Sequence, residues 1–308
     1  MSVLLALLLA APTAPAVAPP HRDLAAAATI HVHAAGEHAF FANAYLIETA
    51  TGVIAVDAPF TASEAKIFRG KLDALGKPLL GVLVTHAHPD HVNGIAALLE
   101  GQQGLVPVFA TEAVSADLAA IDGPKRAFWA PIYKDDYPAK TAMPDHTVKD
   151  GQTLEIGGAR LKAHDLGQGE AAAATVWVLL EKKPAAFVGD VVMNRVHPSL
   201  EGGHSAAWIA QLQAAKRLLF GIGRVYPGHG APGDASLFEW QRAHLSAYRD
   251  AVAELARGRP RLDEAAKKEL QSRMEKRLPA APLAASVALS ADAVAAELAA
   301  EAAAAPGH

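Results

Sequence analysis

Within six residues, His86-Ala87-His88-Pro89-Asp90-His91, the chain places three imidazoles and one carboxylate. Imidazoles at i and i+2 of one loop can converge on a single cation, and the adjacent Asp90-His91 pair, turned by the start of a helix, can face a second. At this chain's histidine and aspartate frequencies, a chance His-x-His-x-Asp-His match arises in only about one sequence in several hundred. The pattern therefore predicts metal binding over a polar surface turn. There are 14 histidines and no cysteine, so disulfides, thiolate nucleophiles and cysteine-based zinc sites are excluded, and any metal ligand must offer nitrogen or oxygen.

Such a segment needs a rigid platform. The buried strand pattern LLGVLVT delivers HAHPDHVNG at its carboxyl end, just before the helical pattern IAALLEG, and this is where α/β proteins place ligands. Upstream, ATIHVHA, AFFANAYLIET and GVIAVDA read as strands, and residues 62–75 read as a helix. Downstream, residues 122–150 carry Trp129, Tyr133, Tyr137 and several prolines without a clear period, and they read as a long surface excursion forming a lid or substrate wall. Strands resume at TLEIGGARLKAHDL, TVWVLLE and AAFVGD, followed by a helix over 205–219 with Ser205 as its expected N-cap, and then by the short strand RVYP. Helical segments near 236–257, 262–277 and 291–304 complete the chain. Strands interleaved with helices without a strict βαβ repeat predict an α/β sandwich.

HAHPDHVNG resembles the metal-binding signature of the metallo-β-lactamase superfamily. Gly189-Asp190 closing a strand and Tyr226-Pro227-Gly228-His229-Gly230 ending a later one occur in that superfamily's order. The resemblance spans about residues 28–235 and implies a four-layered αββα sandwich with two metals at its strand-end loops. It implies His86 and His88 as first-metal ligands, Asp90, His91 and His229 as second-metal ligands, and Asp190 as the carboxylate between the two. One position departs: where the superfamily usually has a third histidine in a Gly-x-Gly-His-like turn, this chain reads Gly167-Gln168-Gly169-Glu170. Glu170 is the expected ligand there, a carboxylate being competent for zinc, and His164 is the alternative. Asp57, at the end of GVIAVDA, is expected either to accept a hydrogen bond from a ligand histidine or to cap the following turn.

The resemblance implies a metal-dependent hydrolase in which two divalent cations, Zn²⁺ first and Mn²⁺ or Fe²⁺ as alternatives, activate water against an ester, lactone, thioester or lactam carbonyl of a small molecule, with β-lactamase-like or lactonase-like activity preferred for an exported enzyme. Asp90 and Asp190 would orient the nucleophile and the ions. Trp129, Tyr133, Tyr137, His197 and His204 are the expected substrate contacts, whereas Trp208 and Trp240 are expected in the core. A metal-binding module without turnover and a di-iron redox protein of the same fold are the alternatives. Lack of cysteine argues against the lactamase subgroup whose second metal uses a thiolate.

Composition limits the partners. Hydrophobic residues at 51%, charged residues at 19% and a mean hydropathy of +0.15 fit a folded globular chain, while a net charge of −4 without a dense basic run argues against nucleic acid. The apolar stretch from Val3 to Ala11, followed by small residues and prolines, predicts an export signal over residues 1–18 and a periplasmic or secreted product. That run is too short to span a bilayer and no other reaches ~18 residues, and nothing in the pattern specifies an oligomeric state. The expected organisation is a hydrolase domain over 28–235 and a helical C-terminal extension over 236–308 packed on it.

Overall fold

A computed structural model describes residues 28–304, so the expected export segment lies outside the described residues. Strands β1 (Thr29–Ala34), β2 (Asn43–Glu48), β3 (Val53–Val56), β4 (Leu79–Leu83), β5 (Val108–Thr111) and β6 (His146–Val148) pair in that order into one sheet, antiparallel as far as β3 and parallel beyond. Strands β7 (Thr153–Ile156), β8 (Ala159–Gly167), β9 (Ala174–Leu179), β10 (Ala185–Met193) and β11 (Arg224–His229) form the second sheet, antiparallel except for the β10–β11 pair.

Period-two alternation decides how these sheets stack. Tyr45 and Ile47 of β2, Ile54 and Val56 of β3, Trp177 and Leu179 of β9, and Phe187 of β10 share one buried cluster between the sheets. Their neighbours point the other way. Leu46, Val53 and Ala55 meet Phe68 and Leu72 of α1 (Ala62–Ala74) in an outer cluster that also takes in Ile95 of α3 (Ile95–Leu98) and Val114 of α4 (Glu112–Tyr133); the four-residue helix α2 (Pro89–Val92) precedes α3. Val176, Val178, Ala186 and Val188 face the opposite outer layer, formed by α5 (Ser205–Leu218), α6 (Ser236–Ala256), α7 (Glu264–Arg277), α8 (Ala285–Leu289) and α9 (Ala291–Ala304). Both sheets are thus covered on both faces, giving an αββα sandwich. The helices after residue 235 contribute Phe238, Leu245, Tyr248, Leu270, Met274 and Val294 to the same core as β9 and β10.

Four local features differ from the sequence reading. Residues 112–133 are one helix, where residues 122–150 were expected to be an irregular excursion. Pro124 and Pro131 each remove an i→i−4 hydrogen bond, but the carbonyls they release belong to exposed Ala120 and Ala127, which water can reach. Val114 and Leu118 anchor one end of α4, Trp129 and Tyr133 the other, and the Thr111 side chain caps its start by accepting from the Val114 N–H. Second, Ser205 is the first residue of α5 and not its cap; the Glu297 carboxylate of α9 accepts from the backbone N–H groups of Ser205 and Ala206, a distant anion doing a local cap's work. Third, a 3₁₀ turn over Glu37–Ala39 precedes β2 and is followed by Phe40 and Phe41 in the left-handed region at φ 60° and 57°. Fourth, the short helix α8 falls between the expected helical segments. Trp208 lies in the core as expected, and half-buried Trp240 stacks on His244. Among the described residues no helix is long and apolar enough to cross a membrane.

Candidate metal centre

At the carboxyl end of β4 the chain leaves the sheet through Thr85 and presents His86, His88, Asp90 and His91, with Pro89 opening α2. Asp57, just after β3, fixes this turn. Its Oδ1 accepts from the Thr85 N–H (2.8 Å), and its Oδ2 accepts from the Thr85 hydroxyl (2.7 Å) and from His91 Nδ1 (3.0 Å). Asp57 holds a left-handed backbone at φ 59° to do so, strain of the kind found where a side chain must be aimed. Because the Thr85 hydroxyl donates to Asp57, it accepts from His86 Nδ1 at 3.0 Å, and both His86 and His91 turn a bare Nε2 away from the sheet.

The second sheet supplies the opposite wall. Gly189, at φ 51°, interrupts the β10–β11 register and re-aims Asp190. Any side chain at Gly228 would collide with it, since a Cβ there would lie 1.8 Å from Asp190 Oδ1. His229 follows, placed by contacts from the first sheet: Asn43 Nδ2 donates to the carbonyls of Pro227 and Gly230, and the Tyr45 hydroxyl donates to Pro227. His229 Nδ1 donates to the Phe40 carbonyl at 2.9 Å, which leaves its Nε2 3.4 Å from both Asp90 Oδ2 and Asp190 Oδ2. Neither Asn43, Tyr45 nor Phe40 stands out in the sequence, because each acts across the sandwich on a partner more than 180 residues away.

Glu170 comes to the same place from the turn after β8. Its Oε2 lies 3.0 Å from His88 Nδ1, but without the alignment of a hydrogen bond. His86, His88, Glu170 and Asp190 each bring a ligand atom within 4.8 Å of the others, and Asp90, His91 and His229 form an adjoining group. His86 Nε2, Asp190 Oδ1 and Glu170 Oε2 are buried without any hydrogen-bond partner. Three orphaned ligand atoms from three separate elements, two of them carboxylate oxygens, would be costly without a cation between them. The residues therefore fit divalent metal ions. His164, the alternative to Glu170, sits on β8 with its Nδ1 3.7 Å from Asp150 and does not join the cluster.

Without a cation, the charges here work against one another. Burial would lower His88 and His229, but the surrounding carboxylates together outweigh it, Glu170 with Asp90 and Asp190 in the first case and Asp190 with Asp90 in the second, lifting them to about 8 and about 10. His91 is likewise raised by Asp190 and Asp90 against the effect of burial, whereas His86, which burial dominates, is held well below its ordinary value. Burial would raise Asp190, yet the charges of His229, His91 and His86 hold it well below the usual carboxylate range. Imidazoles poised in this way exchange protons for a metal.

Beside the cluster, Phe40, Phe60, Trp129, Tyr133 and Tyr137 form an aromatic wall. Phe60 packs edge-on against Tyr133 at 4.8 Å and Trp129 at 5.7 Å, and Trp129 meets Phe40 at 5.3 Å. Burial, then the charges of Asp90 and Asp136, raise the Tyr133 phenol, so the ring lies within reach of the metal cluster's field. Tyr137 is nearly buried beneath this wall, under the Arg126 guanidinium. His197 is not brought to the site: it is fully buried, its ring 5.9 Å from that of His244, because the chain after β10 dives under α6 and α7. His204, directly before α5, lies against Gly202, next to the Glu170 backbone.

A two-sheet sandwich with a histidine-carboxylate cluster at its strand ends defines a class of proteins that hold divalent metal ions there. Residues 39–229 match the family model described as the Metallo-beta-lactamase superfamily, and the chain belongs to that family. It is 28% identical over 191 residues to the "Atrochrysone carboxyl ACP thioesterase nsrC" of Aspergillus novofumigatus, covering 61% of this chain and 49% of that protein. Over 150 residues it is 29% identical to the "Atrochrysone carboxyl ACP thioesterase dmxR1" of Cryptosporiopsis sp., covering 48% and 36%. The chain thus spans half or less of the length of these curated relatives. Among solved structures, a beta-lactamase domain protein from Burkholderia ambifaria aligns with a TM-score of 0.65 at 19% identity, over 94% of this chain and 92% of its own. A metallo-beta-lactamase family protein from Thermus thermophilus aligns with a TM-score of 0.64 at 20% identity, over 90% and 94%. These likenesses concern the fold, and they extend well past residue 229.

Proposed function

We propose that the chain hydrolyses an acyl thioester or a related activated ester of a small molecule, using two divalent cations held by His86, His88 and Glu170 on one side, Asp90, His91 and His229 on the other, and Asp190 between them. The observation that carries this reading is the convergence of orphaned ligand atoms next to an aromatic wall. Cations bound there would supply Lewis acidity at the carbonyl oxygen and a more acidic water.

The chain's own residues account for the rest. Asp57 and the Phe40 carbonyl fix the tautomers of His91 and His229 by accepting from Nδ1, so that Nε2 of each is a donor to the cation. At 17% exposure the Asp90 side chain is more open than Asp190 at 5% or Glu170 at 7%, and together with His88 at 23% it marks the side from which substrate and water arrive. Asp90 is placed to orient that water and accept its proton. Trp129, Tyr133 and Phe40 offer an apolar face for the acyl group and exclude bulk water from the carbonyl. A thioester suits this arrangement because its thiolate leaves with a conjugate pKa near ~8.5, needing far less protonation than an amine. The names of the curated relatives support the same choice over a lactam.

The test is a panel of aryl and acetyl thioesters, a lactone and a β-lactam, assayed with metal-reconstituted protein. Aryl thioester hydrolysis should give the highest kcat/KM. A β-lactam or lactone turned over at least tenfold faster would overturn the substrate assignment, though not the hydrolase fold.

A further inference from the structure

We propose that Glu170 makes the first metal position chemically equivalent to the second, with two imidazoles and two carboxylates at each and Asp190 common to both, and that this set narrows the centre's preference for zinc over the harder ions manganese(II) and iron(II). The inference rests on the hydrolase reading for the presence of metals, and it concerns which cation the chain's residues select.

Glu170 is built into the site. It sits at the tip of a tight turn closed by the Gly169 N–H donating to the Ala171 carbonyl at 2.9 Å. Gln211 of α5 holds the turn from below by donating through Nε2 to the Gly167 carbonyl at 2.9 Å. Gly169 lies so close to the same amide that a Cβ there would come within 2.0 Å of Gln211 Oε1. Gly167 takes φ 64°, a conformation that glycine adopts without strain. The result is a carboxylate 7% exposed, with Oε2 lacking an aligned donor and aimed at the group formed by His86, His88 and Asp190. A glutamate serving only the surface or the fold would have found a hydrogen-bond donor.

Donor chemistry then sets the selectivity. The first position draws on His86, His88, Glu170 and Asp190, and the second on Asp90, His91, His229 and Asp190. Imidazole nitrogen suits zinc, whereas carboxylate oxygen suits manganese and other hard ions, so an imidazole replaced by a carboxylate costs zinc more than manganese. Charge acts in the same direction. Three carboxylates against two divalent cations leave about one net positive charge, and a histidine at position 170 would leave about two, so Glu170 makes the pair of cations less dependent on the strongest available Lewis acid.

The experiment uses the full-length chain, stripped with chelator and titrated with zinc and manganese in competition, with bound metal read by mass spectrometry and manganese by electron paramagnetic resonance. Wild type should bind about two metals per chain, and Glu170→His should keep about two while its zinc-over-manganese preference widens about tenfold. An unchanged preference in Glu170→His with both metals retained would overturn the proposal. Should that variant fail to hold metal, Glu170→Gln decides: loss of about one equivalent supports a ligand role, and a full complement at unchanged affinity overturns it. Metal selectivity that follows position 170 in a protein inactive on every panel substrate would refute the substrate reading alone.

Discussion

Asp57→Asn isolates the tautomer control on which the metal centre depends, because it changes one buried oxygen into an NH₂ group with almost no change in shape. Asn tolerates the left-handed backbone at φ 59° at least as well as Asp, so the chain itself is not strained further. The retained oxygen can still accept from the Thr85 N–H, and the Thr85 hydroxyl can rotate to become an acceptor. His91 has no such freedom. Its Nδ1 lies 3.0 Å from what becomes a donor, so the imidazole must move its proton to Nε2, the atom 3.3 Å from Asp190 Oδ1 and 3.5 Å from His229 Nε2. Flipping the amide instead would leave the buried Thr85 N–H facing a donor, at a cost of about 1–3 kcal/mol. That cost disfavours the flip, and in the unflipped arrangement the second position loses a ready ligand, so its metal affinity should fall about 10- to 100-fold, while the first position changes little. Chelator-competition titration of wild type and variant measures both positions. Two metals held at wild-type affinity in Asp57→Asn would refute the claim that Asp57 sets the His91 tautomer.

Other consequences follow from particular contacts. Gly228→Ala should cost about one metal per chain and most of the activity, because the new Cβ would lie 1.8 Å from Asp190 Oδ1; normal metal content by elemental analysis would contradict the packing. Trp129→Ala should raise KM for an aryl thioester about tenfold with kcat changed less than about threefold, since the ring offers binding area and no chemistry; steady-state kinetics showing a fall confined to kcat would place it at the reacting bond. His244, buried on α6 against His197 and near Arg277, is lowered to about 4 first by burial and then by those charges. It must charge on unfolding, so its contribution is complete above the ordinary value of 6.5 and is lost as pH falls toward 4, up to about 3 kcal/mol. Urea unfolding in chelator should show that loss in wild type and much less of it in His244→Gln; equal losses would remove His244 from the account.

What the sequence discloses depends on how local each determinant is. The run from His86 to His91 is legible because four metal-competent side chains fall within six residues, and the sandwich is legible because strands such as β2 and β9 keep strict alternation across two cores. Glu170 is expected only through the family resemblance, from the Gly167-Gln168-Gly169 turn where a histidine usually follows. α4 is obscured by Pro124 and Pro131, whose local cost is outweighed by packing at both ends of the helix. His197 reads as a substrate contact because it follows Asp190 closely, but the chain turns away beneath α6 and α7. The Phe40 carbonyl, Gln211 and the Glu297 cap act through backbone groups or partners far away in the chain, and residue type alone carries no such signal.

The central claim, that this histidine-carboxylate cluster is a two-metal hydrolytic centre, is tested most directly by adding metal to chelator-stripped full-length protein while following aryl thioester hydrolysis. The rate should rise from near zero and level off at about two metal equivalents per chain. Full turnover in the stripped protein, or a rate indifferent to added metal, would contradict it.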